Sequence, residues 1–231
     1  MHPRAAFEMI ATRNQLLFDT FLNFPKPLIA AVNGPAIGAC VTSATLCDAV
    51  VASERATFST PFARLGVTPE GCSSYWFEKV MGAEKAGRML GEEGWQPTAY
   101  EAVEAGFVHL ASAHDELLDD AQTMAEVWIA EGKHTEKRIC GVLATDSVAG
   151  DGGGGDEECG DIGRGSLMAT LKRINAEESL NLGAAFLSPP FLRGQETFLR
   201  SKGKAAPAAM FQLLRLLRPV WWPLVGDVTR L

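Results

Sequence analysis

Glu70 stands between Pro69 and Gly71 in a stretch, residues 60–72, that lacks a regular apolar period and is punctuated by Pro61 and Gly66. Loops of this kind, held between regular elements, are where function concentrates. Phe62, Leu65 and Val67 bracket the acid with apolar side chains. Such surroundings disfavour the charged form of a carboxylate and make it a better base. The residues alone leave a second role open, an exposed loop acid that caps the helix beginning near Ser73 or Ser74. A second feature with chemical potential is the run of small residues at 34–40, from Gly34 through Ala36, Ile37, Gly38 and Ala39 to Cys40. A tight turn at a helix start presents backbone N–H groups and the positive end of the helix dipole, which suits a developing oxyanion. The same run suits close packing of a helix on a strand.

The elements that must position these groups follow from spacing and punctuation. Residues 5–22 read as an amphipathic helix with Phe7, Ile10, Leu17 and Phe21 near helical spacing. Pro25 and Pro27 end it. Residues 28–32 form a short apolar run bounded by breakers and predict a buried strand. Asn33-Gly34-Pro35 is a turn, and a small-residue helix is expected over 37–46. Strands are expected over 48–52 and 56–59. Beyond the 60–72 loop, helices are predicted over 75–81, 84–90 and 98–105, the last stopped by Gly106. A strand over 107–111 and an amphipathic helix over 117–131 follow.

The predicted organisation is α/β, with a core over residues 1–145 and a C-terminal helical region over 166–231. Helices in that second region are expected near 167–186, 194–201 and 208–217. Residues 146–165 are glycine-rich and acidic, unable to bury apolar area, and read as a solvated linker. Their acids lack the spacing of an EF-hand calcium loop. Leu213, Leu214, Leu216 and Leu217 ahead of Trp221-Trp222 leave two roles open. They could form a foot on a membrane surface, or a helix packed on the core or on a neighbouring subunit.

Composition excludes several function classes. Apolar residues make up 47% of the 231, enough for a core, and the net charge of -7 argues against a nucleic-acid partner. Five cysteines, none at CxxC spacing, predict reduced thiols. The four histidines lack HExxH or related spacing, so no metal is expected. No apolar run reaches the roughly 18 residues of a membrane span.

Several runs taken together carry a resemblance. Residues 25–38 (PKPLIAAVNGPAIG), 47–53 (CDAVVAS), 57–62 (TFSTPF), 71–74 (GCSS) and 98–108 (TAYEAVEAGFV) resemble the crotonase, or enoyl-CoA hydratase/isomerase, superfamily. They are closest to its peroxisomal Δ3,Δ2-enoyl-CoA isomerase branch. The resemblance is clear over about residues 20–112 and weaker over 175–202. It implies a crotonase-like core, a spiral of ββα units, and an acyl-CoA thioester substrate in fatty-acid β-oxidation. Coenzyme A is then part of the substrate, and no separate cofactor is implied.

On the matching positions, the resemblance makes Glu70 the catalytic base and the Ala39 backbone N–H an oxyanion donor. Ile37, Gly38, Phe62 and Leu65 fall at substrate-binding positions. Relatives that hydrate enoyl-CoA carry two glutamates where this chain has Thr42 and Phe62, a pattern that favours isomerisation. The resemblance also implies that an N-terminal part of the family domain is missing. A turn of the Ala-Gly-Asn-Asp type, source of the other oxyanion N–H, is not found. A non-catalytic acyl-CoA-binding or oligomerisation module is therefore the alternative. Relatives assemble as homotrimers or hexamers. Thr229-Arg230-Leu231 is a weak match to a peroxisomal C-terminal signal, with mitochondrial or cytoplasmic placement as alternatives.

Overall fold

The computed structural model describes residues 2–143 and 166–225. The predicted linker at 146–165 and the Thr229-Arg230-Leu231 signal lie outside the described residues. Helix α1 (Pro3–Leu22) opens on a proline, whose missing N–H is harmless in a first turn. It buries Phe7, Ala11, Phe18 and Leu22. The buried stripe is thus displaced from the expected one, and Leu17 is exposed. The reason lies far along the chain, in the helix α8 described below, which packs lengthwise on α1.

Next come β1 (Ile29–Val32), β2 (Ala36–Ile37), α2 (Ala39–Ala44), β3 (Ala49–Ser53) and β4 (Phe58–Ser59). The helix expected from residue 37 begins at Ala39. Ala36 and Ile37 instead pair in parallel with Phe58 and Ser59. Gly38, at φ 58° and ψ −122°, makes the break between strand and helix in a conformation that favours glycine. The stretch expected to be a plain loop contains one helical turn, α3 (Phe62–Leu65), ended by left-handed Gly66.

Helices α4 (Ser73–Met81), α5 (Ala83–Leu90) and α6 (Ala99–Ala105) follow. Thr98 and Glu101 form a reciprocal capping box on α6, and Gly106 at φ 92° stops it. Strand β5 (Leu110–Ser112) completes a three-stranded parallel sheet in the order β1-β3-β5. Every residue of the central strand β3 is buried, as a continuous apolar run in a parallel sheet requires. Helix α7 (Leu117–Ala130) packs against β1 and β3. A hairpin absent from the sequence-based expectations, β6 (Arg138–Ile139) and β7 (Val142–Leu143), leads back to buried Asp48. That carboxylate accepts from the Leu28 N–H at 2.8 Å, the Arg138 N–H and Lys137 Nζ at 2.7 Å.

The helical C-terminal region comprises α8 (Leu167–Phe186), α9 (Pro189–Ser201), α10 (Ala205–Leu216) and α11 (Arg218–Trp221). Helix α9 starts well before the expected residue 194. Its N-terminal prolines follow the N-cap Ser188, whose hydroxyl accepts from the Phe191 N–H. Leu167 and Leu171 of α8 are buried in the main core with Phe18, Cys72 and Trp76. Among the described residues no helix is long and apolar enough to cross a membrane.

Candidate active site

Two short segments meet at the site, and each is shaped by its glycine. The first is the Gly38 turn into α2. The helix's own bonds begin with the N–H groups of Val41 and Thr42, which both donate to the Gly38 carbonyl. The N–H groups of Ala39 and Cys40 therefore precede the helical ladder, as the first donors of any helix do. Ala39 is half-buried, whereas the Cys40 side chain is exposed.

The second segment carries Glu70. Gly71 and Cys72 both adopt left-handed conformations, at φ 65° and 66°, and swing the chain from the loop into α4. A Cβ on Gly71 would stand 2.6 Å from Phe18 Cε1 and 2.8 Å from Thr42 Cβ, so only glycine fits. The N-cap of α4 is Cys72, not the expected Ser73 or Ser74. Ser73 instead uses its hydroxyl to donate to the Glu70 carbonyl at 2.7 Å. Trp76 on α4 donates through Nε1 to the Thr45 carbonyl at the end of α2, 3.0 Å away. The Glu70 loop and the Gly38 turn are thus held to one another by Gly71 seated on Thr42 and by the Trp76 bond.

The result is that Glu70 Oε1 lies 4.0 Å from the point where a Cβ on Gly38 would stand. The carboxylate is half-buried. Burial pushes its pKa up from 4.5 to about 7, and the nearby charge of Glu178 adds to the rise. A carboxyl group poised near neutrality can both take and return a proton. The adjoining N–H of Ala39 is available to an oxyanion.

The other residues singled out in the sequence are distributed around this pair. Thr42 is fully buried beneath Gly71, and its hydroxyl points back to the Ala39 carbonyl at 3.4 Å. Phe62 is buried at the first position of α3. Leu65 is exposed on a groove of about 410 Å³ that α3 forms with Pro190, Gly194 and Phe198 of α9. Ile37 is exposed on β2. The structure therefore brings Gly38, Ala39, Thr42 and Glu70 together, and places Leu65 toward α9.

Sequence reasoning missed Glu178. It lies on α8 in a buried stripe with Leu171, Asn175 and Leu182. The signal was available in principle, since an acid at helical spacing among buried apolar positions demands a partner.

A model of the enoyl-CoA hydratase/isomerase family matches residues 5–145. Enoyl-CoA delta isomerase 2 of Rattus norvegicus is 38% identical over 186 residues, covering 80% of this chain and 42% of the rat protein. The Homo sapiens enoyl-CoA delta isomerase 2 is 53% identical over 130 residues, 54% of this chain and 31% of that protein. Enoyl-CoA delta isomerase 3, peroxisomal, of Mus musculus is 45% identical over 124 residues, 52% and 37% of the two chains. The chain spans less than half the length of these curated relatives. A solved enoyl-CoA hydratase/isomerase from Pseudoalteromonas atlantica superposes with a TM-score of 0.61 at 24% identity, over 80% of this chain and 66% of that one. That likeness shows the fold, a crotonase-like α/β core with a helical C-terminal region. By the match of the family model to most of its length, the chain belongs to the enoyl-CoA hydratase/isomerase family.

Proposed function

We propose that the protein moves the double bond of a 3-enoyl-CoA to the 2-position. Glu70 takes a proton from C2 of the acyl chain, the electrons pass toward the thioester carbonyl, and the Ala39 N–H stabilises the resulting enolate oxygen. Glu70 then returns the proton at C4, which completes the shift without net change in atoms. The observation that carries this function is the approach of the Glu70 carboxylate to Gly38 at the start of α2. Thr42 and Phe62 support isomerisation over hydration, since neither can deliver a proton to or from water. The names of the rat, human and mouse relatives agree with the activity. No cofactor takes part, and coenzyme A enters as part of the substrate.

The wider setting is proposed with it. The exposed apolar residues Met210, Leu213, Leu216 and Leu217 of the last helices support assembly as a homotrimer or hexamer. A peroxisomal location is supported by the name of the mouse relative, and a role in fatty-acid β-oxidation is proposed with it. Residues 1–145 act as the catalytic core and 166–231 as the oligomerisation region.

The second possibility is a module that binds acyl-CoA without turnover. Two measurements on the same preparation separate them. Formation of the conjugated 2-enoyl thioester from a 3-enoyl-CoA supports the isomerase and excludes the module. Calorimetric binding of the acyl-CoA with no conversion excludes the isomerase.

A further inference from the structure

We infer that Glu178 of α8 is a positioning residue for Glu70, holding the catalytic loop in place through two backbone bonds across the fold, an assignment that rests on Glu70 being the base. Glu178 Oε2 accepts from the Cys72 N–H at 2.6 Å, and Oε1 accepts from the Ser74 N–H at 2.8 Å. These are donors at the open end of α4, which a helix normally satisfies with the side chain of its own N-cap. Cys72, the N-cap here, makes no such bond and instead donates its thiol to the Leu171 carbonyl of α8 at 3.2 Å. The acceptor comes from more than a hundred residues away, and α8 clamps both sides of the turn that follows Glu70.

Helix α8 is itself fixed against α1. Asn175 donates to the Gln15 carbonyl at 3.0 Å and to Asp19 Oδ1 at 2.9 Å, and Asn14 donates to Ser179 Oγ at 3.0 Å. The titratable groups that face Glu178 are Glu70 and Cys72 from the loop and Glu177 beside it on α8, while Asp19 from α1 acts on Cys72. Among the described residues no lysine or arginine forms an ion pair with it. Burial keeps Glu70 protonated to higher pH and the charge of Glu178, when ionised, adds to that rise, while burial pushes the pKa of Glu178 itself up as well.

The test uses the full chain with Glu178→Gln and Glu178→Asp. Glutamine keeps the shape but has one acceptor oxygen, so its amide meets one of the two N–H groups donor to donor. It also removes the repelling charge. In this variant kcat should fall on the order of 10-fold with KM little changed. The acid limb of kcat/KM should move to lower pH. Aspartate keeps the charge and shortens the reach, so kcat should fall while the limb stays in place. A readout independent of turnover is the 13C titration of the Glu70 carboxyl, which should move down in Glu178→Gln as the limb does. If the protein shows no isomerisation but this titration moves, the proposed activity fails and the role of Glu178 is supported. Unchanged kcat and unchanged Glu70 titration in folded Glu178→Gln overturn the inference. Should that variant not fold, the wild-type titration decides. Two coupled steps support the inference, and a single step in the ordinary carboxylate range overturns it.

Discussion

The carboxylate of Glu70 and the backbone of Gly38 approach so closely that a Cβ on Gly38 would stand 4.0 Å from Oε1. A half-buried carboxylate and the first N–H groups of α2 are thereby set side by side. Burial, with help from Glu178, raises the Glu70 pKa to about 7. Only the ionised form can take a proton. The kcat/KM for a 3-enoyl-CoA should therefore rise with pH through about 7 and level off above it. A profile whose acid limb lies near 4.5, the ordinary value for a glutamate, would show that the carboxylate is solvated in the free enzyme.

The same raised pKa has a consequence for stability. An acid that ionises less readily when folded stabilises the fold fully below its unfolded value of 4.5 and loses that contribution as pH rises through about 7. Glu70→Gln should thus match wild type below about pH 4.5 and exceed it at pH 8. After allowance for partial solvent exposure, the gain is on the order of 1–2 kcal/mol. Thermal unfolding of the pair at both pH values checks the sign.

Gly71→Ala should damage stability and activity together. The new methyl meets Phe18 Cε1 at 2.6 Å and Thr42 Cβ at 2.8 Å, at a backbone φ of 65°. Strain and overpacking of this kind each cost about 1–3 kcal/mol. Because Glu70 is the preceding residue, kcat should fall beyond what loss of folded protein explains. Activity normalised to the folded fraction separates the two effects.

Asp48 offers the contrast. Asp48→Ala strips the acceptor from the Leu28 and Arg138 N–H groups and the counter-charge from Lys137. Breaking a buried pair of this kind costs about 3–5 kcal/mol. Asp48 contributes nothing to the pair formed by Gly38 and Glu70, so kcat per folded molecule should stay within about twofold of wild type. Urea unfolding beside the activity assay tests both parts.

Local features were legible wherever local chemistry decides them. The stop at Gly106, the strand at β3 and the punctuation around Glu70 all read directly from the chain. What failed to show was fixed by distant partners. Ala36 and Ile37 became a strand because Phe58 and Ser59 pair with them. The buried face of α1 was set by α8. Cys72 caps α4 with no side-chain capping bond of its own, and Glu178 supplies the acceptors instead. Glu70 could be singled out from sequence, whereas the acceptors that hold its loop could not, since Glu178 reaches it from more than a hundred residues away.

The central claim is that Glu70 carries the proton between C2 and C4, and the most direct measurement is the rate at which wild type and Glu70→Gln convert a 3-enoyl-CoA to its conjugated 2-enoyl isomer. The substitution preserves shape and removes the base, so the account predicts turnover by wild type and a loss of at least about 100-fold in the variant. Equal rates in two equally folded proteins would contradict it.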